Sequence, residues 1–320
     1  YARQVVEQYN LIESKYILKE NTKKKFGVSM QHYTFAVKAF VEMVKQFGMD
    51  EYEFEIHETK TYDVIEDVKN CKSEIGILYL NDFNKKVLTK LFHESAVEFH
   101  ELLKCHIYVY LWKGHPLASK EEITLKELEE YPCLSFDQGH NNSFYFAEEV
   151  LSTYDYKRLI KANDRATFLN LMIGLNGYTL CSGIMCEELN GSDYCAIKLK
   201  SDEIMTIGYI ARKGVQVSPL GKKYLEEINE NSCDILYNLC RKNNLFAYAY
   251  KLYHKHRREE DMTDNGKPKY FSLMEQLRND IVSGAIRPGE KLPSENELSQ
   301  KYSLSRHTVR KALGILEQDG

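Results

Sequence analysis

LPSENELSQKYSLSRHTVRKALGILEQDG, residues Leu292 to Gly320, divides into two helical runs with a very short break between them. Ser294 followed by Glu297 has the spacing of a capping box. The serine oxygen accepts from the Glu297 N–H and the carboxylate accepts in return from the serine N–H, so a helix is predicted from Ser294. It extends to about Tyr302, because Ser303 and Leu304 interrupt it and Ser305 offers a second N-cap. Leu298, Tyr302, Leu304, Val309, Leu313 and Leu316 recur at a spacing that lets the two helices bury a common seam. Arg306, His307, Thr308 and Arg310 are then left near the start of the second helix, the part of a recognition helix that reaches base edges. No acid occurs between Leu298 and Leu316, whereas Lys301, Arg306, Arg310 and Lys311 are basic. The local field therefore favours phosphate, although the chain as a whole carries a net charge of -4. A merely solvated helical face is the bland alternative for the same charges.

Extended upstream, the stretch reads YFSLMEQLRNDIVSGAIRPGEKLPSENELSQKYSLSRHTVRKALGILEQDG from Tyr270, with the patterns G-x-I/L-x-P-G-x-x-L-P-S-E-x-E-L and S-R-x-T-V-R-x-A-L both present. On these residues it resembles the winged helix-turn-helix head of GntR-type transcription regulators. The resemblance implies that Ser294 and Asn296 approach the DNA backbone, that Arg306 and Arg310 read guanines in the major groove, and that His307 and Thr308 contact phosphate or base. Ser305 caps the reading helix. The family's two-stranded wing is expected just after Gly320, where the sequence stops, so wing contacts are not expected from this chain.

A chain of 320 residues, 43% apolar and 28% charged, has an ordinary soluble composition with room for two or three cored domains. No run approaches the ~18 apolar residues of a membrane span, and no basic and apolar leader stands at Tyr1. A cytoplasmic setting is expected. The cysteines, at 71, 105, 133, 181, 186, 195, 233 and 240, show no C-x-x-C and no regular framework. Reduced, buried thiols are expected rather than disulfides or a metal site.

Val5, Tyr9, Ile12 and Tyr16 form one apolar stripe on an otherwise polar helix. From Lys25 the pattern changes: Phe26–Met30 reads as a strand, Tyr33–Phe47 as a helix, Tyr52–Glu58 as an alternating strand, Tyr62–Asn70 as a helix and Ile75–Leu80 as an apolar strand. This order predicts parallel βαβ units. Val97 to Trp112, with CHIYVYLW inside it, reads as one buried strand.

His115-Pro-Leu-Ala118, then ITLKELEEYP at Ile123–Pro132, GLNGYTLCSGIM at Gly174–Met185 and IGYIARKG at Ile207–Gly214 together resemble the effector-binding domain of LysR-type transcription regulators. The resemblance covers residues 25 to 229 and implies an α/β fold of the periplasmic-binding-protein type with two Rossmann-like lobes. The first lobe is expected over about 25–80 and 207–230, the second over about 98–199. Residues 1–24 fall where that family ends its dimerisation helix, so its own DNA-binding head is absent from this sequence and a homo-oligomer is expected. Residues 231–267, an aromatic-rich segment and a linker, separate this part from the mainly α-helical head at 268–320. Residues 262–320 hold nine Lys and Arg against eight Asp and Glu, the remainder 34 against 39, so two differently charged modules meet there.

In open parallel sheets a ligand lies beyond the carboxyl ends of the strands, where helix N-termini offer N–H groups. Applied to this chain, the rule selects Ser29, Met30, Gln31 and His32 after the first strand, Thr59 and Thr61 after the second, and Leu80 and Asp82 after the third. From the second lobe it selects Ser135 and Phe136, the loop Gln138–Ser143, the stretch from Asn163 to Thr167, and Ser182, Gly183 and Ile184. A small anion, the class common among the family's effectors, suits the hydroxyls of Ser29 and Thr61. Gln31 and His32 depart from the small hydroxyl residues usual at that loop, which leaves the ligand class open.

His100, His106 and His115 lack metal-ligand spacing, and no nucleophile elbow, Walker loop or dinucleotide fingerprint occurs. No cofactor, metal or catalysis is expected. The expected function is a transcription regulator that binds operator DNA and responds to a small-molecule effector. The alternative is a solute-binding module with an inert, truncated head.

Overall fold

The computed structural model describes residues 5–9, 23–47, 51–229, 269–283, 286, 292–304 and 306–318, within two compact units, Tyr1–Leu252 and Tyr253–Gly320. In the first unit, residues 5–9 are a helical turn (α1) with Val5 and Tyr9 exposed. Ile12 and Tyr16 of the expected stripe, and the aromatic-rich segment after residue 229, lie outside the described residues.

The chain then runs β1 (Lys24–Met30), α2 (Thr34–Lys45), β2 (Tyr52–Glu58), α3 (Thr61–Lys69), β3 (Ile75–Leu80) and α4 (Lys85–Glu94). β1 lies between β2 and β3 and is parallel to both, the arrangement that helical crossovers impose. α2 buries Phe35, Ala36, Ala39, Phe40 and Met43, one stripe at helical spacing, whereas α3 buries Val64, Ile65 and Val68 in a second cluster with Leu78 and Leu88. A Cβ added at Gly76 would stand 2.7 Å from Ile210 and 2.8 Å from Val64, so glycine is what lets α3 approach β3 so closely. Helix α8, residues 219–229, sets Tyr224 against the rings of Phe26 and Phe40 at 5.8 and 6.2 Å, and its hydroxyl donates to the Ala36 carbonyl.

β4 (Val97–His106) and, much later, β11 (Ile204–Arg212) complete a five-stranded sheet in the order β2-β1-β3-β11-β4, with β11 antiparallel to both neighbours. Everything between them is the second lobe: β5 (Tyr108–Trp112), β6 (Glu122–Ile123), α5 (Leu125–Leu128), β7 (Cys133–Phe136), β8 (Leu159–Ala162), α6 (Arg165–Gly174), β9 (Thr179–Cys181), α7 (Glu187–Asn190) and β10 (Tyr194–Leu199). Its larger sheet runs β6-β10-β5-β9, and β7 pairs with β8 alongside. The expected single strand from Val97 to Trp112 is thus two strands in two different sheets, with buried Ile107 as the joint, and residues 97–106 belong to the first lobe. No Gly, Pro or other turn-forming residue marks the joint, so the two strands read as one run.

In the second unit three helices cover Lys269–Val282, Glu295–Tyr302 and Arg306–Gln318. Tyr270, Leu273, Met274 and Leu277 of the first, Leu298 of the second, and Val309 and Ala312 of the third are buried. The Ser294 capping box is formed: its Oγ accepts from the Glu297 N–H at 3.3 Å and a Glu297 oxygen accepts from the Ser294 N–H at 2.7 Å. These bonds hold the Glu297 carboxyl below its usual range. Ser303 closes that helix in the left-handed region, φ 53°, and the Leu304 N–H donates back to the Ser299 carbonyl. Ser294→Ala is expected to destabilise the head by about 1 kcal/mol, seen as about fivefold faster hydrogen exchange at the Leu298 amide, which donates to the Ser294 carbonyl.

Candidate functional site: an interlobe cavity and a helix-turn-helix

The carboxyl ends of β1 and β2 face the segment between β7 and β8 of the other lobe, and that segment supplies the partners. Gln31, almost fully buried, donates from Nε2 to Thr61 Oγ1 at 2.5 Å and accepts from the Tyr33 hydroxyl. Thr61 Oγ donates in turn to the Phe146 carbonyl, and the Thr61 N–H, first in α3, donates to Gln138 Oε1 at 3.0 Å. The His32 N–H, just ahead of α2, donates to Glu148 Oε2 at 3.0 Å, and its ring Nδ1 lies 2.7 Å from the same oxygen. Gln138 Nε2 donates to the other Glu148 oxygen at 2.9 Å. The starts of α2 and α3 are thereby met by side chains of the opposite lobe.

Behind this contact lies a cavity of about 90 Å³, lined by His32, Tyr33 and Thr34 from the first lobe and by Tyr110, Phe136, Glu148, Glu149, Arg165, Phe168, Thr179, Cys181 and Ser182 from the second. Phe136 is sandwiched: the His32 ring stacks on one face at 3.6 Å and Phe168 on the other at 4.3 Å, nearly parallel in both cases. Glu149 is buried, with one oxygen accepting from Ser135 Oγ at 2.7 Å and the other from the Phe136 N–H at 3.0 Å. Burial, and then the charge of Glu148, push its carboxyl up to about 7 against the pull of those bonds. Arg165 forms a forked pair with Glu58 across the cleft, Nε to Oε2 at 3.3 Å. Thr179 Oγ1 is buried with no hydrogen-bond partner among the described residues. Burial pushes the Cys181 thiol up to about 12, so it is protonated at neutral pH.

Of the residues read from sequence, His32, Phe136 and Ser182 line the cavity. Ser135 holds Glu149, and Gln31 and Thr61 belong to the contact between lobes. Ser29 points away: its hydroxyl donates to Asp67 at 2.6 Å and shares a bond with Ser73. Met30 and Leu80 are core residues, and Thr59 donates its N–H to the Met30 carbonyl. Asp82 sits at the surface beside α4, Asn163 is exposed, and Thr167 donates its N–H to the α6 cap Asp164. Gly183 turns the chain at φ +74°, where a Cβ would stand 2.5 Å from the Tyr108 ring. Arg165 falls inside the stretch Asn163–Thr167 read from sequence, whereas Glu148 and Glu149, on a run of turns well past β7, and Thr179, within β9, are not at the carboxyl ends of strands and were not selected.

In the head, Asn296 is exposed, Thr308 half-buried, and Arg310 exposed with its guanidinium forked onto Glu295 at 3.0 and 2.9 Å. Ser305 and the side chains of Arg306 and His307 lie outside the described residues.

Residues 269–320 match the bacterial regulatory proteins of the gntR family. The arabinose metabolism transcriptional repressor of Geobacillus stearothermophilus is 46% identical over 59 residues, 18% of this chain and 16% of that protein. The HTH-type transcriptional repressor NagR of Bacillus subtilis (strain 168) is 43% identical over 53 residues, 17% of this chain and 22% of that one. The chain thus spans about a sixth to a fifth of the length of these curated relatives. The solved Corynebacterium glutamicum OxyR C206 mutant superposes with a TM-score of 0.50 at 14% identity, covering 78% of this chain and 74% of that one, which shows the two-lobed fold. Residues 33–232, well over half of the chain, match the LysR substrate binding domain, and the protein belongs to that family.

Proposed function

We propose that the chain is a transcription regulator in which the interlobe cavity takes a small-molecule effector and the helix-turn-helix binds operator DNA. The observation that carries the reading is the capped two-helix head with Arg310 exposed on its second helix, in a chain that also has a cavity between two lobes. A single short reading helix covers one half-site, so the working form is a homo-oligomer. The setting is the cytoplasm, and no helix among the described residues is long and apolar enough to cross a membrane. Binding rather than catalysis is the task assigned to the cavity: His32, the imidazole in its lining, is committed to Glu148, and Cys181 is a protonated thiol.

The test is a gel-shift series on the full chain with a selected operator at rising salt. Affinity is expected to fall steeply between 50 and 200 mM salt, by roughly 10-fold or more, and to exceed that for random DNA by at least ~10³. Sequence-independent binding with a flat salt response overturns the reading and leaves a solute-binding module. The Glu295 carboxylate competes with DNA for Arg310, so Glu295→Gln is expected to tighten operator binding about twofold to fivefold.

A further inference from the structure

The two helix starts suited to an anion already have acceptors from the chain itself. Glu148 accepts from the His32 N–H ahead of α2, and Gln138 accepts from the Thr61 N–H at the start of α3. Glu148 is likewise engaged by the His32 ring and Gln138, and Arg165 is paired with Glu58. Glu149 is different. It is 8% exposed and its carboxyl accepts from neutral donors, Ser135 Oγ and the Phe136 N–H among them, with no cation paired to it among the described residues. Thr179 provides an independent sign: the residue is 7% exposed, lines the same cavity, and its buried hydroxyl has no partner among the described residues. A buried hydroxyl and a buried carboxylate left in this condition are each costly, and one ligand donor relieves both.

We propose that the cavity binds a compact primary amine, whose ammonium group is held by Glu149 and Thr179. The ammonium has three N–H donors and no acceptor, which suits a carboxylate and a hydroxyl oxygen together. The carboxyl of Glu149, held up to about 7 by burial and by Glu148, is the group whose charged form such a cation stabilises. The volume of about 90 Å³ sets the size. A dry cavity of ~150 Å³ accepts benzene, so the alkyl part here is smaller than a six-carbon ring.

This inference rests on the effector-binding reading above, and its test is kept apart from DNA. Calorimetric titration of the full chain at pH 7 compares n-propylamine, 1-propanol and propionate, three probes of near-equal size. The amine is expected to bind at least about tenfold tighter than the alcohol, with no measurable heat from propionate. Glu149→Gln is expected to abolish this preference for the amine, and Thr179→Val to weaken amine binding about tenfold. Propionate binding as tightly as the amine, or full amine affinity in Glu149→Gln, overturns the proposal. A chain that binds propylamine but no operator fails the regulator reading alone; one that shifts operator DNA but prefers propionate fails this one alone.

Discussion

Glu149→Gln is expected to stabilise the first unit by about 3 kcal/mol at pH 8 while leaving it nearly unchanged at pH 4. The carboxyl sits near 4.5 in the unfolded chain and at about 7 in the folded one, because burial and the Glu148 charge disfavour its ionised form. A raised folded value means that the native state holds its proton where the unfolded chain has lost it. The stability this contributes is full below 4.5 and is lost as pH rises to 7, at ~1.4 kcal/mol for each pH unit between them. Glutamine is neutral like the protonated acid and keeps an acceptor oxygen beside a donor, so the variant buries no charge at any pH. Urea denaturation of both proteins from pH 4 to pH 8 checks this. Parallel curves for the two proteins across that range would show that Glu149 is not the group responsible. Because the variant is expected to fold better than the parent at neutral pH, its loss of amine binding cannot be ascribed to unfolding.

The double substitution Arg306→Ala with Arg310→Ala is expected to remove operator preference. A bidentate arginine to guanine is worth ~1 to 3 kcal/mol of discrimination, so two removed together cost ~2 to 6 kcal/mol, or roughly 30-fold to 10⁴-fold. Binding to random DNA is expected to fall much less, and the ratio of the two affinities in a gel-shift assay is the measurement. Arg310 is engaged by Glu295 in the free head, so part of its contribution to DNA is spent in releasing an exposed ion pair. Equal loss on operator and random DNA would assign both arginines to phosphate rather than to bases.

Much of the first lobe was legible in sequence because its strands and helices carry clean periods. Tyr52–Glu58 alternates and was placed to the residue, and the α2 and β3 patterns are as plain. The boundary at Ile107 was not legible, since no Gly, Pro or other turn-forming residue separates β4 from β5. The cavity was half legible. Residues such as His32 and Phe136 follow strand ends, where topology alone puts a ligand. Glu148 and Glu149 lie on a stretch of short 3₁₀ turns and bends with no period to read, and two adjacent acids ordinarily signify surface. Only the packing of Tyr79, whose hydroxyl donates to the Ala147 and Glu149 carbonyls, and of Phe146 against the first lobe carries them inward. In the head, the capping box and the apolar seam were explicit in the spacing.

The pairing of Ile204 with His106 has a further consequence. The second lobe departs from and rejoins the first at one rung of an antiparallel ladder, so it is a cassette inserted into what would otherwise be a plain hairpin. Joining His106 to Ile204 through a two-residue Asn-Gly turn would leave every strand of the five-stranded sheet in its present order and direction. The same rung also gives any rocking of the cassette a single pivot, with the β4–β11 ribbon as its axle.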